Sequence, residues 1–210
     1  MKKIAFSDEC LLNEAIDSGR KTMTRRSIPI PQPSNEEGWQ IMRLTCTTDA
    51  DNKKNVGKLH WIRTDGQGNV LDSDSKFFLP TYKVGEVVAI AQRYMDVFDG
   101  ASWTEKRPFV ETAGWDNKMF VKAELMPHQI KITKVRLERM QDISDDDCMK
   151  EGIVKMQTEP PTYAYDLRGR YPLLFESPRA AFANLIDFIS GKGTWDSNPY
   201  VFVYEFEKVK

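Results

Sequence analysis

The chain has 210 residues, of which 40% are hydrophobic and 29% charged, a globular balance that excludes a disordered or collagen-like chain. Thirty basic residues face 31 acidic ones, for a formal net charge of −1. That excludes a polyanion gripped over the whole surface and confines any nucleic-acid site to a local patch. No apolar run reaches the ~18 residues of a membrane span. The segment Met1 to Glu9 turns acidic before a signal-peptide core can form, so a cytoplasmic protein with no membrane partner is expected.

A first helix is expected from about Asp8 to Ser18. Ser7 or Asp8 would cap it, Leu11, Leu12, Ala15 and Ile16 would share its buried face, and Gly19 would end it. The basic segment Gly19 to Arg26 follows, then Pro29, Pro31 and Pro33, where neither helix nor central strand can run. From Trp39 to Pro80 the pattern is strand-like. Met42, Leu44 and Cys46 alternate with polar residues, and Lys58 to Leu71 reads as a hairpin turning at Asp65 to Asn69. Val87 to Ala91 is continuously apolar and predicts a strand covered on both faces.

Residues 97–118 read as a polar loop. Gln129 to Met140 is a strand whose apolar parity switches between Ile132 and Val135, which predicts a β-bulge near Thr133. Ser144 starts a short helix that Gly152 ends. A loop rich in proline and tyrosine runs from Lys155 to about Pro172. Ser177 and Pro178 open a helix to Ser190, with Ala181, Phe182, Leu185, Ile186 and Ile189 on its buried face. Tyr200 to Phe206 alternates as a closing strand. Helices and strands mix without a βαβ rhythm, so the expected class is α+β, a small, mostly antiparallel barrel flanked by helices. One domain over 1–210 is expected, with loop or hairpin insertions near 31–80, 97–118 and 155–176.

Common site chemistries are missing. The three cysteines are far apart and form no Cys-x-x-Cys pair, and the two histidines, His60 and His128, have no ligand spacing. Neither a metal nor a cofactor is expected. No P-loop, Gly-x-Gly-x-x-Gly or Gly-x-Ser-x-Gly occurs. Asp145, Asp146 and Asp147 fall in the first turn of a helix, where capping explains them better than a cation. Trp61, Tyr94 and Trp195 could stack on a base but read more simply as core. Asn198 before Pro199 reads as a turn residue.

The densest signal is Gly19 to Arg26, where Arg20, Lys21, Arg25 and Arg26 mix with the hydroxyls of Thr22 and Thr24. A solvated basic loop is the simplest account. Yet the cluster is short in a chain of near-zero net charge, and cations with hydroxyls suit phosphate or base-edge recognition. Gly19-Arg20-Lys21-Thr22-x-Thr24-x-Arg26 resembles the Gly-x-Lys-x-x-(Thr/Glu)-x-Arg signature of ASCH domains. The resemblance continues in order through Tyr82 to Glu86, through Val135 to Gly152 as in phage-associated members, and through Trp195 to Phe206, so it touches about half of the chain.

What the resemblance implies is a PUA-like barrel that binds RNA or reads a modified nucleoside. It also implies, from some small bacterial members, an amidohydrolase that removes the acetyl group from N4-acetylcytidine. The matching catalytic set would be Lys21, Thr24 and Glu151, with Arg20, Thr22, Arg25 and Arg26 binding the ligand. Chemically, a threonine hydroxyl needs a base, and a lysine serves only if burial and neighbouring cations lower its pKa. Glu151 would oppose that lowering, and could instead orient an amide or carry a proton. A third reading is a non-catalytic phage or mobile-element accessory protein that meets a protein partner through the inserted hairpin.

Overall fold

The computed structural model describes residues 1–29, 38–44, 53–98, 108 and 110–209. Pro31, Pro33, Cys46 and residues 99–107 and 109 of the insertion expected near 97–118 lie outside them. In chain order the elements are β1 (Lys2–Ile4), α1 (Leu12–Asp17), β2 (Met23–Ser27), β3 (Trp39–Arg43), β4 (Leu59–Thr64), β5 (Val70–Ser73), β6 (Val87–Ile90) and α2 (Tyr94–Phe98). Then come β7 (Gln129–Arg139), α3 (Asp145–Lys150), β8 (Val154–Lys155), β9 (Tyr163–Ala164), α4 (Pro178–Ser190) and β10 (Tyr200–Lys208). The mixture is α+β, and the chain divides into two compact units: one joins residues 1–26 to 82–210, the other holds 27–81.

The larger unit is built on a five-stranded sheet of order β1-β6-β7-β10-β2. β1 runs parallel to β6, whereas β6, β7 and β10 pair antiparallel. Among the described residues no ladder joins β1 to β2, so strand pairing does not close the expected barrel. Side chains draw the two edges together instead. Arg26 on β2 donates to the Ala5 carbonyl just after β1, at 2.6 Å. The Phe6 ring packs on Phe206 at 6.1 Å between centroids. Tyr82 packs edge-on against Tyr204, and its hydroxyl donates to the Lys3 carbonyl.

The bulge falls at Thr133. Lys134 pairs with Glu205 and Ile132 with Phe206, which leaves Thr133 without an opposite residue. Beyond it, Val135 and Leu137 lie opposite Tyr204 and Phe202 and continue the apolar face that Ile132 shares with Phe206. Arg136 and Glu138, opposite Val203 and Val201, therefore point to the other face. Along β10, Val201, Phe202, Val203, Tyr204 and Phe206 are all buried. This strand is central, so both of its faces are covered, and the cleanly alternating pattern does not mean one wet face.

Several local expectations change. Leu11 takes a left-handed φ of 47°, so α1 starts only at Leu12 and no side chain caps it. Asp8 accepts instead from the Asn13 amide. α3 and α4 start as the sequence predicts, with Ser144 accepting from the Asp147 amide and Ser177 from the Ala180 amide. Ile189 is exposed, because α4 buries only Pro178, Ala181, Phe182, Leu185 and Ile186. The loop rich in proline and tyrosine after Lys155 is mostly irregular, as expected, with a short pairing of β8 and β9 within it. Trp61 and Tyr94 are fully buried, and Asn198 sits in a turn at φ 41° with its side chain accepting from the Gln141 amide.

The smaller unit is a three-stranded antiparallel sheet of order β3-β4-β5. Asp65 closes the β4–β5 turn by accepting from the amides of Gln67 and Asn69. Trp39, Leu59, Trp61, Ile62 and Phe78 are buried, and His60 stacks on Phe77 at 4.9 Å.

Replacing Phe182, fully buried on α4, with alanine should cost about 3–5 kcal/mol through lost burial and a cavity. Ile189→Ala should change stability by less than about 0.5 kcal/mol. Denaturant titration of both variants checks the pair, and a large loss from Ile189→Ala would contradict the packing of α4.

Candidate functional site

The signature segment is placed by α1 and the end of α3. Gly19, at φ 75°, turns the chain sharply after α1 with open space where a Cβ would be. The Lys21 amide then donates to the Ala15 carbonyl at 2.9 Å. The Thr22 amide donates to the Lys150 carbonyl, and the Thr22 carbonyl accepts from Phe206 on β10. Residues 20–22 are thus held between helix end and sheet before β2 begins. Gly152, at φ 108°, lets the chain turn after α3 close to α1. A Cβ there would stand 3.6 Å from Leu12 and 3.8 Å from both Ala15 and the Lys21 Cβ.

This packing brings Lys21 against Glu151. Lys21 Nζ lies 2.6 Å from Glu151 Oε2 and 2.8 Å from the Glu151 carbonyl oxygen. The two side chains are 3% and 5% exposed, so water supplies little screening. The other carboxylate oxygen, Oε1, accepts from Arg25 at 3.1 Å. Glu151 therefore divides its two oxygens between two buried cations.

Arg25 is corrected by the structure. Its guanidinium is fully buried and engaged by Glu138, Glu151 and, at 3.5 Å, Asp147. Its side chain presents no surface to solvent and is taken up by these carboxylates. Arg26 is half-buried, bonded to Ala5 and lying 5.1 Å from the Phe6 ring. Arg20 is exposed and paired with Asp166 at 2.8 Å. Thr22 is half-buried and stays at the surface of the segment. Thr24 is buried. Strand alternation puts it on the face of Arg26, opposite Met23 and Arg25. Lys21 Nζ lies 5.7 Å from that same Phe6 ring, so the Lys21 and Arg26 cations meet at Phe6. No side-chain hydrogen bond joins the Thr24 hydroxyl to another described residue.

Burial pushes the Lys21 pKa down, Glu151 opposes the shift, and Arg26 and Arg25 add to it. Burial also pushes the Cys148 thiol up to about 12, so this cysteine beside the site stays protonated and is no nucleophile. The charge balance is completed by residues that sequence reasoning left out. Arg136 donates to Glu138 at 2.8 Å and also to Asp147 and Glu205. In the sequence Asp147 is explained as a helix-start carboxylate, and Arg136 and Glu138 stand in no site motif. The parity switch at Thr133 was the one available sign that they turn inward.

An open hollow of about 440 Å³ lies beside the pair. Arg20 and Thr22 line one side, Lys150 and Lys155 another, and Met149 and Val154 give it apolar surface. Its walls are the chain neighbours of Lys21 and Glu151, not those two residues themselves. Among the described residues no group of three or more His, Cys, Asp or Glu side chains could hold a metal, and no helix is long and apolar enough to cross a membrane. His128 pairs with Asp17 at 3.0 Å. The chain matches no protein-family model, no curated protein and no solved structure.

Two outcomes test this geometry. Glu151→Ala strands the Lys21 ammonium in a buried position and should cost roughly 3–5 kcal/mol, measured by denaturant titration. The pH dependence has a defined sign. Because the folded-state pKa of Lys21 is lowered, the unfolded chain binds more protons above it, and stability rises with pH from there to the ordinary lysine range. The unfolding free energy of wild type minus that of Lys21→Met should therefore climb between neutral and alkaline pH, and a flat difference would contradict it.

Proposed function

We propose that this chain is an ASCH-type module with a PUA-like fold that binds a modified pyrimidine nucleoside, free or within RNA, in the hollow beside Lys21 and Glu151. The reading is carried by the meeting of two residues 130 positions apart as a buried pair at 2.6 Å, next to a hollow of about 440 Å³. A buried ion pair is a poor device for stability alone, and perturbed ionisable groups beside a cleft mark functional sites. The hollow has the size of small-molecule sites, roughly 300–1,000 Å³. Met149 and Val154 offer a base an apolar surface, and Arg20, Thr22, Lys150 and Lys155 suit sugar and phosphate. The bulge in β7 and the bond from Arg26 on β2 to the chain just after β1 support the PUA-like reading.

Hydrolysis of an N4-acyl group is a second reading, favoured by the lowered pKa of Lys21. A neutral Lys21 amine would take the Thr24 hydroxyl proton as the oxygen attacks the acyl carbon. Collapse would break the carbon–nitrogen bond, with the proton passing to the leaving cytidine amine. Water would then cleave the acyl-threonine ester and restore the hydroxyl. Glu151 would hold the lysine in place for both transfers.

Calorimetric titration with N4-acetylcytidine and with a short single-stranded RNA tests the binding. The affinity for RNA should fall with salt at a log–log slope of about −0.7 per contacted phosphate. Arg20→Ala with Lys155→Ala should weaken it, and binding of neither ligand ends the reading. Chromatographic detection of cytidine tests hydrolysis. Thr24→Val should abolish release while binding persists, and release undiminished in Lys21→Met would eliminate the mechanism.

A further inference from the structure

Glu151 stands at the C-terminal end of α3, and α3 is thinly anchored. The helix has six residues and a single buried side chain, Cys148, too short to hold its own shape in water. It lies against α4, and one backbone bond, from Thr22 to Lys150, ties its end to the signature. Buried Ile143 and Ile153 flank it, Arg179 on α4 donates to the Ile143 carbonyl just before it at 2.7 Å, and its Asp147 adds ionic attachments. Asp147, one turn before Glu151, accepts from Arg136 and lies 3.5 Å from Arg25. Glu138 on β7 accepts from both guanidinium groups, and Glu205 on β10 accepts from Arg136. Arg136 thus touches carboxylates on β7, α3 and β10 while lying outside the Lys21–Glu151 contact itself.

We infer that Arg136 is the positioning residue of this site: by bridging Glu138 on the sheet to Asp147 on α3, it pins that helix and so holds the Glu151 carboxylate between Lys21 and Arg25. The planar fork of arginine serves here because it can bond several carboxylates from one plane, whereas lysine offers one compact charge. The functional weight of the inference rests on the reading of Lys21 and Glu151 as a working site, but its structural content can be measured without any ligand.

The test uses the full chain as wild type, Arg136→Met, Arg136→Lys and Asp147→Ala. Arg93→Met, which breaks the separate Arg93–Asp96 pair, is the control. Two readouts are taken: amide hydrogen exchange resolved over 145–152, and the ammonium resonance of Lys21 in a nitrogen-15 spectrum, visible when its protons are buried and bonded. Arg136→Met and Asp147→Ala should speed exchange in 145–152 by about tenfold relative to β7 and β10 and erase the Lys21 signal. Arg136→Lys should restore part of both, and Arg93→Met should change neither. An unchanged helix and Lys21 signal in Asp147→Ala would overturn the inference, as would exchange that accelerates evenly over the whole unit. If Arg136→Met does not fold, Asp147→Ala decides. A wild-type chain that binds no nucleoside while these readouts respond as expected would remove the proposed function and leave the positioning role supported.

Discussion

A carboxylate buried between two cations organises the larger unit. Taking Lys21, Arg25 and Glu151 out of water is costly for each alone, and only mutual contact makes the arrangement tolerable. Glu151 meets this demand from a helix end, Lys21 from the turn after α1, and Arg25 from β2. Three elements distant in sequence must therefore arrive together. Gly19 and Gly152 make the arrival geometrically feasible, because both hold positive φ angles close to the packed segment.

The same constraint explains the second rank of charges. Lys21 and Arg25 together bring two positive charges against the single negative charge of Glu151, and Glu138 and Asp147 add carboxylates around Arg25. Those two carboxylates in turn need Arg136. Its guanidinium reaches them because the bulge at Thr133 reverses the parity of β7. Had alternation run unbroken through Thr133, Arg136 and Glu138 would share a face with Ile130 and Ile132, which are fully buried. One inserted residue thus separates an apolar face, carrying Phe6, Tyr82 and Tyr204, from a charged one.

For chemistry, the consequence is a lysine with limited freedom. Two of its bonds go to one residue, the carboxylate and carbonyl of Glu151, and the Phe6 ring lies alongside. Such a group is pre-oriented, and its proton affinity is set by burial more than by its neighbours. The cations expected to grip a ligand divide by exposure: Arg25 is wholly internal, Arg26 ties the sheet edges, and Arg20 remains at the surface beside the hollow.

Much of this was legible in the chain. Helix starts with a hydroxyl cap, the turn at Asp65 to Asn69 and the bulge at Thr133 are local events, dictated by side chains that bond the adjacent backbone or by a break in alternation. The start of α1 and the exposure of Ile189 were not legible, because Leu11 and the last turn of α4 respond to what packs against them; the end of α1 at Ser18 and Gly19 was. The residue types in Gly19 to Arg26 singled this segment out by themselves, since cations and hydroxyls gather there in a neutral chain. Which of those cations face inward depended on carboxylates more than a hundred residues away. Only the tertiary fold could decide it, because burial of a charge is settled by the partner it meets and not by its neighbours in the chain.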